Sequence, residues 1–298
     1  MLPRVMSFTG TYTALITPFR NGVVDVPAYK ALIDRQIEGG VDGIVPVGTT
    51  GESPTLDTEE HIEVIRLALE FAAGRCRVIA GTGANATAEA IELTQKAEAL
   101  GAHGSLQVCP YYNKPSQEGL YRHFRAVAEA TKLPIMLYSV PGRSVVEIAP
   151  ETAARLAKDC PNITSIKEAG GSVDRINQLV QALPEGFDIL CGDDPLTLPF
   201  IACGATGLVS VASNIIPGVI ARLVRACLNG SFDEALVLQK QYYPLMRGLM
   251  TLDVNPVPIK SAAALMGHCT DEFRLPLCPL DEAKSQTLRK LLDSFNLI

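Results

Sequence analysis

Residues 163–194, ITSIKEAGGSVDRINQLVQALPEGFDILCGDD, decide the fold. A β-rich run at 163–167 gives way to two glycines, a stretch of helical apolar periodicity follows at 172–183, and a second β-rich run at 187–191 closes the unit. A strand, a helix and a strand joined this tightly form a βαβ unit, which requires a parallel sheet. The same order repeats along most of the chain. Further strands are expected at 11–16, 43–47, 77–81, 104–109, 134–139 and 206–211, and further helices at 27–39, 57–73, 87–100, 117–131, 150–159, 194–203 and 215–229. Eight such units without a reversal point favour closure into an α/β TIM (β/α)8 barrel over an open doubly wound sheet. Two helix starts carry their own signals. Asp57 with Glu60 forms a capping-box pattern, and Asp194 before Pro195 reads as an N-cap followed by proline at the first helical position. Residues 231–298 show no strand pattern and are expected to add three helices, near 232–250, 257–267 and 281–295, as a C-terminal appendage to a catalytic barrel spanning 1–230.

Composition narrows the function. The 298 residues are 47% hydrophobic and 19% charged, with a net charge of −6 and no run of Lys and Arg. That balance argues against nucleic acid or an anionic membrane surface as the main partner. The first 20 residues contain no apolar core of signal-peptide length, and the most apolar run, 207–221, is interrupted by Ser210, Ser213, Asn214 and Pro217 and is too short to span a bilayer. A cytoplasmic location is expected. The eight cysteines form no C-x-x-C pair, and Cys76, Cys109, Cys191 and Cys203 lie in apolar contexts, as buried free thiols in a reducing compartment do. His61, His103, His123 and His268 are scattered, so no metal site is expected.

On a TIM barrel, chemistry sits at the C-terminal ends of the strands. Those positions hold GTTGES (48–53), GTGAN (81–85), PYYNKP (110–115), YSVPGR (138–143), KEAGG (167–171), GDD (192–194) and Ser210. Lys167 is the one lysine of ten at a strand's own C-terminal end; the other nine, Lys114 of the PYYNKP loop among them, fall on helices, in loops or at the opposite end of the barrel. Taken alone Lys167 reads first as a cation snorkelling at the rim, and only second as an amine whose ordinary pKa of about 10.4 is lowered by burial so that it can attack a ketone. Strand alternation turns Glu168 to the opposite face, where a structural partner is expected. Tyr138 ends the preceding strand and could exchange protons with an adduct on the lysine, or simply bond a rim carbonyl. Thr49 and Thr50 offer hydroxyls and N–H groups suited to a carboxylate, and Arg143 a guanidinium suited to another. GTGANA (81–86) mimics a dinucleotide fingerprint, but the next strand ends QVCP with no acidic residue for a ribose, so its glycines are assigned to a tight turn. Asp193 and Asp194 lack further ligands for a metal, and capping of the next helix accounts for Asp194.

The ordered set TALITPF (13–19), GTTGESPTL, AGTGANATAEAI, CPYYNKPSQEGLY, IKEAGG, NPVPIKSA (255–262) and RLPLCPL (274–280) covers nearly the whole chain. It resembles the 4-hydroxy-tetrahydrodipicolinate synthase (dihydrodipicolinate synthase) family, within the pyruvate-dependent class I aldolase superfamily that also contains N-acetylneuraminate lyase. The resemblance implies that Lys167 forms a Schiff base with pyruvate and that Tyr138 donates and accepts protons, linked through Thr50 to Tyr112. Tyr112 would reach into a neighbouring subunit's site. Thr49, Thr50 and the backbone at Gly192 and Val209 would position pyruvate, and Arg143 would bind the carboxylate of aspartate semialdehyde. It further implies a cytoplasmic homotetramer built as a dimer of dimers, working in lysine and diaminopimelate biosynthesis without metal or organic cofactor. Ser53, His61, Asn85, Glu89 and Tyr111 match the positions that line an inhibitory lysine pocket in some members. Thr49–Thr50 and the arginine after VPG favour the synthase over sialic acid lyases. Ser139 and Val145 depart from the family's usual Asn and Gly, which keeps another pyruvate-dependent aldolase, acting on a 2-keto-3-deoxy sugar acid or N-acetylneuraminate, as the alternative. A non-catalytic binding protein is the alternative of a different class; retention of Lys167, Tyr138, Thr50 and Tyr112 speaks against it.

Overall fold

The computed structural model describes residues 7–298. Eight parallel strands close into a barrel. They are β1 (Gly10–Ala14), β2 (Gly43–Val45), β3 (Arg77–Gly81), β4 (Gly104–Val108), β5 (Ile135–Ser139), β6 (Ile163–Glu168), β7 (Asp188–Cys191) and β8 (Gly207–Ser210). Each pairs with its successor, and β8 returns to β1 with Gly207 opposite Gly10. Between them run α1 (Val26–Glu38), α2 (Thr58–Ala72), α3 (Thr87–Ala99), α4 (Gln117–Glu129), α5 (Pro150–Asp159), α6 (Val173–Ala182), α7 (Thr197–Ala202) and α8 (Pro217–Leu228). The expected TIM barrel is therefore the observed fold, and every expected strand and helix is present.

The departures have local causes. β2 stops at Val45 because Pro46 has no N–H to donate to the ladder. The expected helix at 194–203 divides into a 3-10 turn, Asp194–Leu196, and the short α7. Asp194 does not cap it. Its carboxylate instead accepts the N–H groups of Val211 and Ala212 at 2.8 and 3.1 Å and the hydroxyl of Ser210, because the turn after β8 leaves those buried donors without backbone acceptors. Asp57 does cap α2, accepting from the Glu60 N–H at 2.9 Å, but the reciprocal half of the capping box is lost because Arg274 takes the Glu60 carboxylate, with Nη2–Oε1 at 2.7 Å. A small antiparallel hairpin, Phe19–Arg20 with Val23–Val24, was not anticipated. Its turn is Asn21-Gly22 with both φ positive, at 55° and 83°, a pairing the dipeptide itself signals.

Three helices follow the barrel: α9 (Phe232–Thr251), α10 (Val257–Leu265) and α11 (Glu282–Asp293). α9 is tied to the mouth of the barrel by Gln239, whose Nε2 donates to the Pro195 carbonyl at 2.7 Å. α10 is buried along its first seven residues, Val257 to Ala263, and Leu288 and Leu292 of α11 are buried as well. All eight cysteines are free thiols. Cys203, expected to be buried, is half-buried, and Cys278 is exposed. Among the described residues no helix is long and apolar enough to cross a membrane.

Candidate active site

The site depends on one irregularity in the sheet. Ile135 of β5 faces Ile163 of β6, and had that register continued, Tyr138 would face Ile166. The register instead shifts by one residue after Ile135, so Met136 faces Ser165 and Tyr138 faces Lys167. A bulge of this kind re-aims side chains near a barrel rim. It brings Lys167 Nζ to 4.1 Å from the centre of the Tyr138 ring, with both residues only 6% exposed. The stem of Lys167 is held from the other side by Gly192. A Cβ at Gly192 would lie 3.0 Å from Lys167 Cε and 2.7 Å from Ala169 Cβ, so no larger residue fits while the lysine keeps this position. The Gly192 N–H is itself spent on the Glu168 carbonyl at 2.8 Å.

Lys167 shares burial with one other lysine, Lys260, and the contrast is informative. Lys260 Nζ meets Glu52 Oε1 at 2.6 Å, both side chains being fully buried, and lies over the rings of Phe19 and Phe273 at 4.2 and 4.9 Å. Among the described residues Lys167 has no such ion pair. Its neighbour Glu168 turns away into the helical layer, where its carboxylate accepts from the Gly170 N–H at 2.7 Å and from Arg175 Nε at 3.4 Å. Arg175 is the structural partner expected for Glu168. Burial still raises the Glu168 pKa, with the Arg175 charge and the Gly170 N–H acting against it. A buried amine without an ion pair costs free energy that a ring face offsets only in part, and such a group at the mouth of a barrel is a candidate for chemistry.

The GTTGES stretch folds into tight turns. Val47 is buried at φ 49°, in the left-handed region that a β-branched residue rarely adopts, and Thr49–Gly51 forms one 3-10 turn. Strain of this kind persists where surrounding packing over-determines it. Here Gly81 supplies that packing, since a Cβ on it would come within 2.6 Å of the Val47 carbonyl oxygen. A Cβ on Gly83 would likewise sit 2.3 Å from the Val108 nitrogen. The glycines of GTGAN thus permit close approach of neighbouring strand ends rather than the tight turn first assigned to them.

A cavity of about 240 Å³ opens at this end of the barrel, and Thr49, Ser53, Tyr111, Tyr138 and Arg143 all line it. Arg143 lies on a single helical turn, Pro141–Ser144, and its Nη2 donates to the Asn255 carbonyl at 2.9 Å. The Asn255 side chain reaches the other way, donating from Nδ2 to Thr50 Oγ1 at 3.0 Å. Asn255 opens the NPVPIKSA stretch that helps carry the resemblance, but nothing there assigns it a role; it lies in the loop between α9 and α10. Val209 is fully buried within β8, opposite Tyr12 of β1. Tyr112 stands apart from its own chain's site at 90% exposure, with φ 73°. The expected links from Thr50 to Tyr138 and Tyr112 are not formed as hydrogen bonds within this chain.

Of the residues matched to a lysine pocket, Asn85, Glu89 and Tyr111 cluster. Asn85 Nδ2 donates to the Tyr111 carbonyl at 3.3 Å, and burial together with the Glu89 charge raises the Tyr111 pKa. His61 is committed elsewhere, buried with Nε2 at 2.8 Å from the Gly81 carbonyl, and burial lowers its pKa. Among the described residues no three His, Cys, Asp or Glu side chains gather as a metal site would require.

The family model described as the dihydrodipicolinate synthetase family matches residues 7–295. The 4-hydroxy-tetrahydrodipicolinate synthase of Pelobacter propionicus is 51% identical over 291 residues, covering 98% of this chain and 100% of the relative. Among solved structures, the 4-hydroxy-tetrahydrodipicolinate synthase of Methylacidiphilum fumariolicum SolV superposes with a TM-score of 0.96 at 54% identity, covering 97% of this chain and 96% of that one. The chloride-inhibited dihydrodipicolinate synthase of Acinetobacter baumannii, complexed with pyruvate, superposes at 0.95 with 42% identity over 98% of this chain and 100% of that one. With a barrel mouth that sets an unpaired buried lysine against a tyrosine, and full-length likeness to these enzymes, the chain belongs to the dihydrodipicolinate synthetase family.

Proposed function

We propose that the chain condenses pyruvate with L-aspartate 4-semialdehyde through a Schiff base on Lys167, giving 4-hydroxy-tetrahydrodipicolinate for lysine and diaminopimelate biosynthesis. The observation that carries this reading is the position of Lys167, buried against the face of Tyr138 without an ion pair among the described residues. Its amine adds to the keto carbon of pyruvate, and loss of water from the carbinolamine leaves an imine. The imine draws electrons from the methyl carbon, a methyl proton departs, and the resulting enamine attacks the aldehyde carbon of the semialdehyde, whose oxygen takes up a proton. The amine of the new chain then displaces Lys167, closing the ring and freeing the enzyme. Each step moves a proton beside one nitrogen or oxygen, which suits a phenol such as Tyr138 backed by the Thr50 hydroxyl. No cofactor is needed for this sequence.

The first N–H groups of a helical turn have no intrahelical acceptor, so the turn beginning at Thr49 suits the carboxylate of pyruvate. Arg143, in the same cavity, suits the carboxylate of the second substrate. Exposure of Tyr112 supports its use by a second copy of the chain, and likeness to the family suggests a cytoplasmic dimer of dimers. Ser53, Asn85, Glu89 and Tyr111 remain the candidate positions for inhibition by lysine, with His61 as a buried wall behind them. A lysine titration that leaves full activity in the millimolar range would remove that role, and sedimentation of a monomer would remove the shared site. The central experiment is borohydride reduction with pyruvate followed by peptide mapping, which is expected to modify Lys167 alone. Protein recovered without an adduct would overturn the mechanism, and faster enamine capture by sugar aldehydes than by aspartate semialdehyde would reassign the substrate.

A further inference from the structure

Thr50 is 4% exposed, and its hydroxyl offers one proton and two lone pairs. The Asn255 carboxamide occupies a lone pair, donating Nδ2–H to Thr50 Oγ1 at 3.0 Å from a position 205 residues further along the chain. A donated bond has a directional consequence. Thr50 cannot return its own proton to that nitrogen, so its O–H stays free for a different acceptor, and no hydrogen bond from it to Tyr138 is already formed within this chain. We propose that Asn255 is a positioning residue of the proton relay: by fixing Thr50 Oγ1 as an acceptor on one side, it presents the Thr50 proton to the phenolic oxygen of Tyr138. This rests on the Schiff-base reading above, in which Tyr138 accepts and returns protons.

The two segments that carry this bond are joined a second time. Glu52, two residues beyond Thr50, pairs with Lys260, five residues beyond Asn255, at 2.6 Å and full burial. With both bridges in place the Thr50 rotor is held by rigid neighbours, which is what a proton-transfer step requires of its geometry. Asn255 Oδ1 is buried and has no partner among the described residues, so the bond from Nδ2 to Thr50 is the one hydrogen bond the carboxamide makes there. Turned over, it would instead accept the Thr50 proton and leave none for Tyr138. Substitution by aspartate, which only accepts, separates the two orientations.

The test compares the wild type with Asn255→Ala, Asn255→Asp, Thr50→Val and the Asn255→Ala/Thr50→Val double variant. Two readouts are taken with pyruvate alone: exchange of its methyl protons for deuterium by NMR, and borohydride trapping by intact mass. Asn255→Ala and the isosteric Asn255→Asp are both expected to slow exchange about tenfold, the kinetic equivalent of one hydrogen bond, while trapping yield and the KM for pyruvate hold. In the Thr50→Val background Asn255→Ala is expected to add nothing, because its effect passes through Thr50. Wild-type exchange in Asn255→Asp, undiminished exchange in Asn255→Ala, or additive losses in the double variant would each overturn the inference. A wild-type protein that neither traps pyruvate nor exchanges its methyl protons would overturn the Schiff-base reading itself, before any variant is compared.

Discussion

Lys260→Met tests whether the Glu52–Lys260 pair braces the site loop. The substitution keeps an unbranched side chain, one atom shorter, and removes its charge. Glu52 would be left fully buried, with the Arg274 N–H at 3.2 Å as its remaining donor. Breaking one side of a buried pair costs about 3–5 kcal/mol. The carboxylate has an escape, which is to take up a proton. From an ordinary glutamate value near 4.3, protonation costs about 3.7 kcal/mol at pH 7 and about 1 kcal/mol at pH 5. The penalty in the variant is therefore capped at those values and grows by about 1.4 kcal/mol per pH unit between them. The sign follows from the folded variant binding a proton that its unfolded state releases as pH rises. Stability is then lost upward in pH relative to the wild type.

Thermal unfolding at the two pH values reads this directly. At about 2–4 °C per kcal/mol for chains of this general size, the variant is expected to melt about 7–15 °C below wild type at pH 7 and about 2–4 °C below at pH 5. Adding Glu52→Gln removes the buried charge and is expected to recover most of the loss at pH 7, since deleting both members of a buried pair costs far less than deleting one. An offset of equal size at both pH values, or a double variant no more stable than Lys260→Met, would refute the reasoning.

Other expectations follow from single contacts. His123 is buried, its Nδ1 bonded to Thr87 Oγ1 at 2.9 Å, and burial pushes its pKa down to about 4. Because the unfolded imidazole titrates near 6.5, the neutral ring stabilises the fold above that pH, and this contribution is lost as pH falls toward 4. Denaturant titrations should show wild type losing about 3 kcal/mol more than His123→Gln across that window, and parallel losses would contradict it. Gly192→Ala would press a methyl against Lys167 Cε, 3.0 Å from where its Cβ must stand, and should slow pyruvate trapping at least about tenfold; an unchanged trapping rate would show that Gly192 does not fix the lysine stem. Arg143→Ala is expected to raise the KM for the semialdehyde about tenfold or more while sparing that for pyruvate, and an equal rise for both substrates would place Arg143 outside semialdehyde recognition.

The sequence announces the barrel because each strand–helix unit is a local pattern, and Lys167 because it closes a strand at the end where this fold does its chemistry. The motifs also name the loops that line the mouth. They do not disclose what holds those loops. Ile166-Lys167-Glu168-Ala169 and Ile259-Lys260-Ser261-Ala262 are nearly the same text, and both lysines are buried. One ends a strand and the other lies inside a helix, but that difference alone does not make either reactive. What separates them is a carboxylate 208 residues away, Glu52, which pairs with Lys260, while Lys167 has no ion pair among the described residues. A partner at such a distance leaves no periodicity and no spacing to read. The same holds for Asn255 and Thr50, and for Arg274, whose hold on Glu60 breaks the capping box that local sequence proposes. Even the pairing of Tyr138 with Lys167 rests on a one-residue shift between β5 and β6 that the alternating pattern of either strand conceals. Reactivity at this barrel mouth is therefore a tertiary property. Glu52 neutralises the lysine that the C-terminal helices bring to the barrel mouth, that pair ties the site loop to those helices, and Lys167, the lysine proposed to form the Schiff base, is left without an ion pair among the described residues.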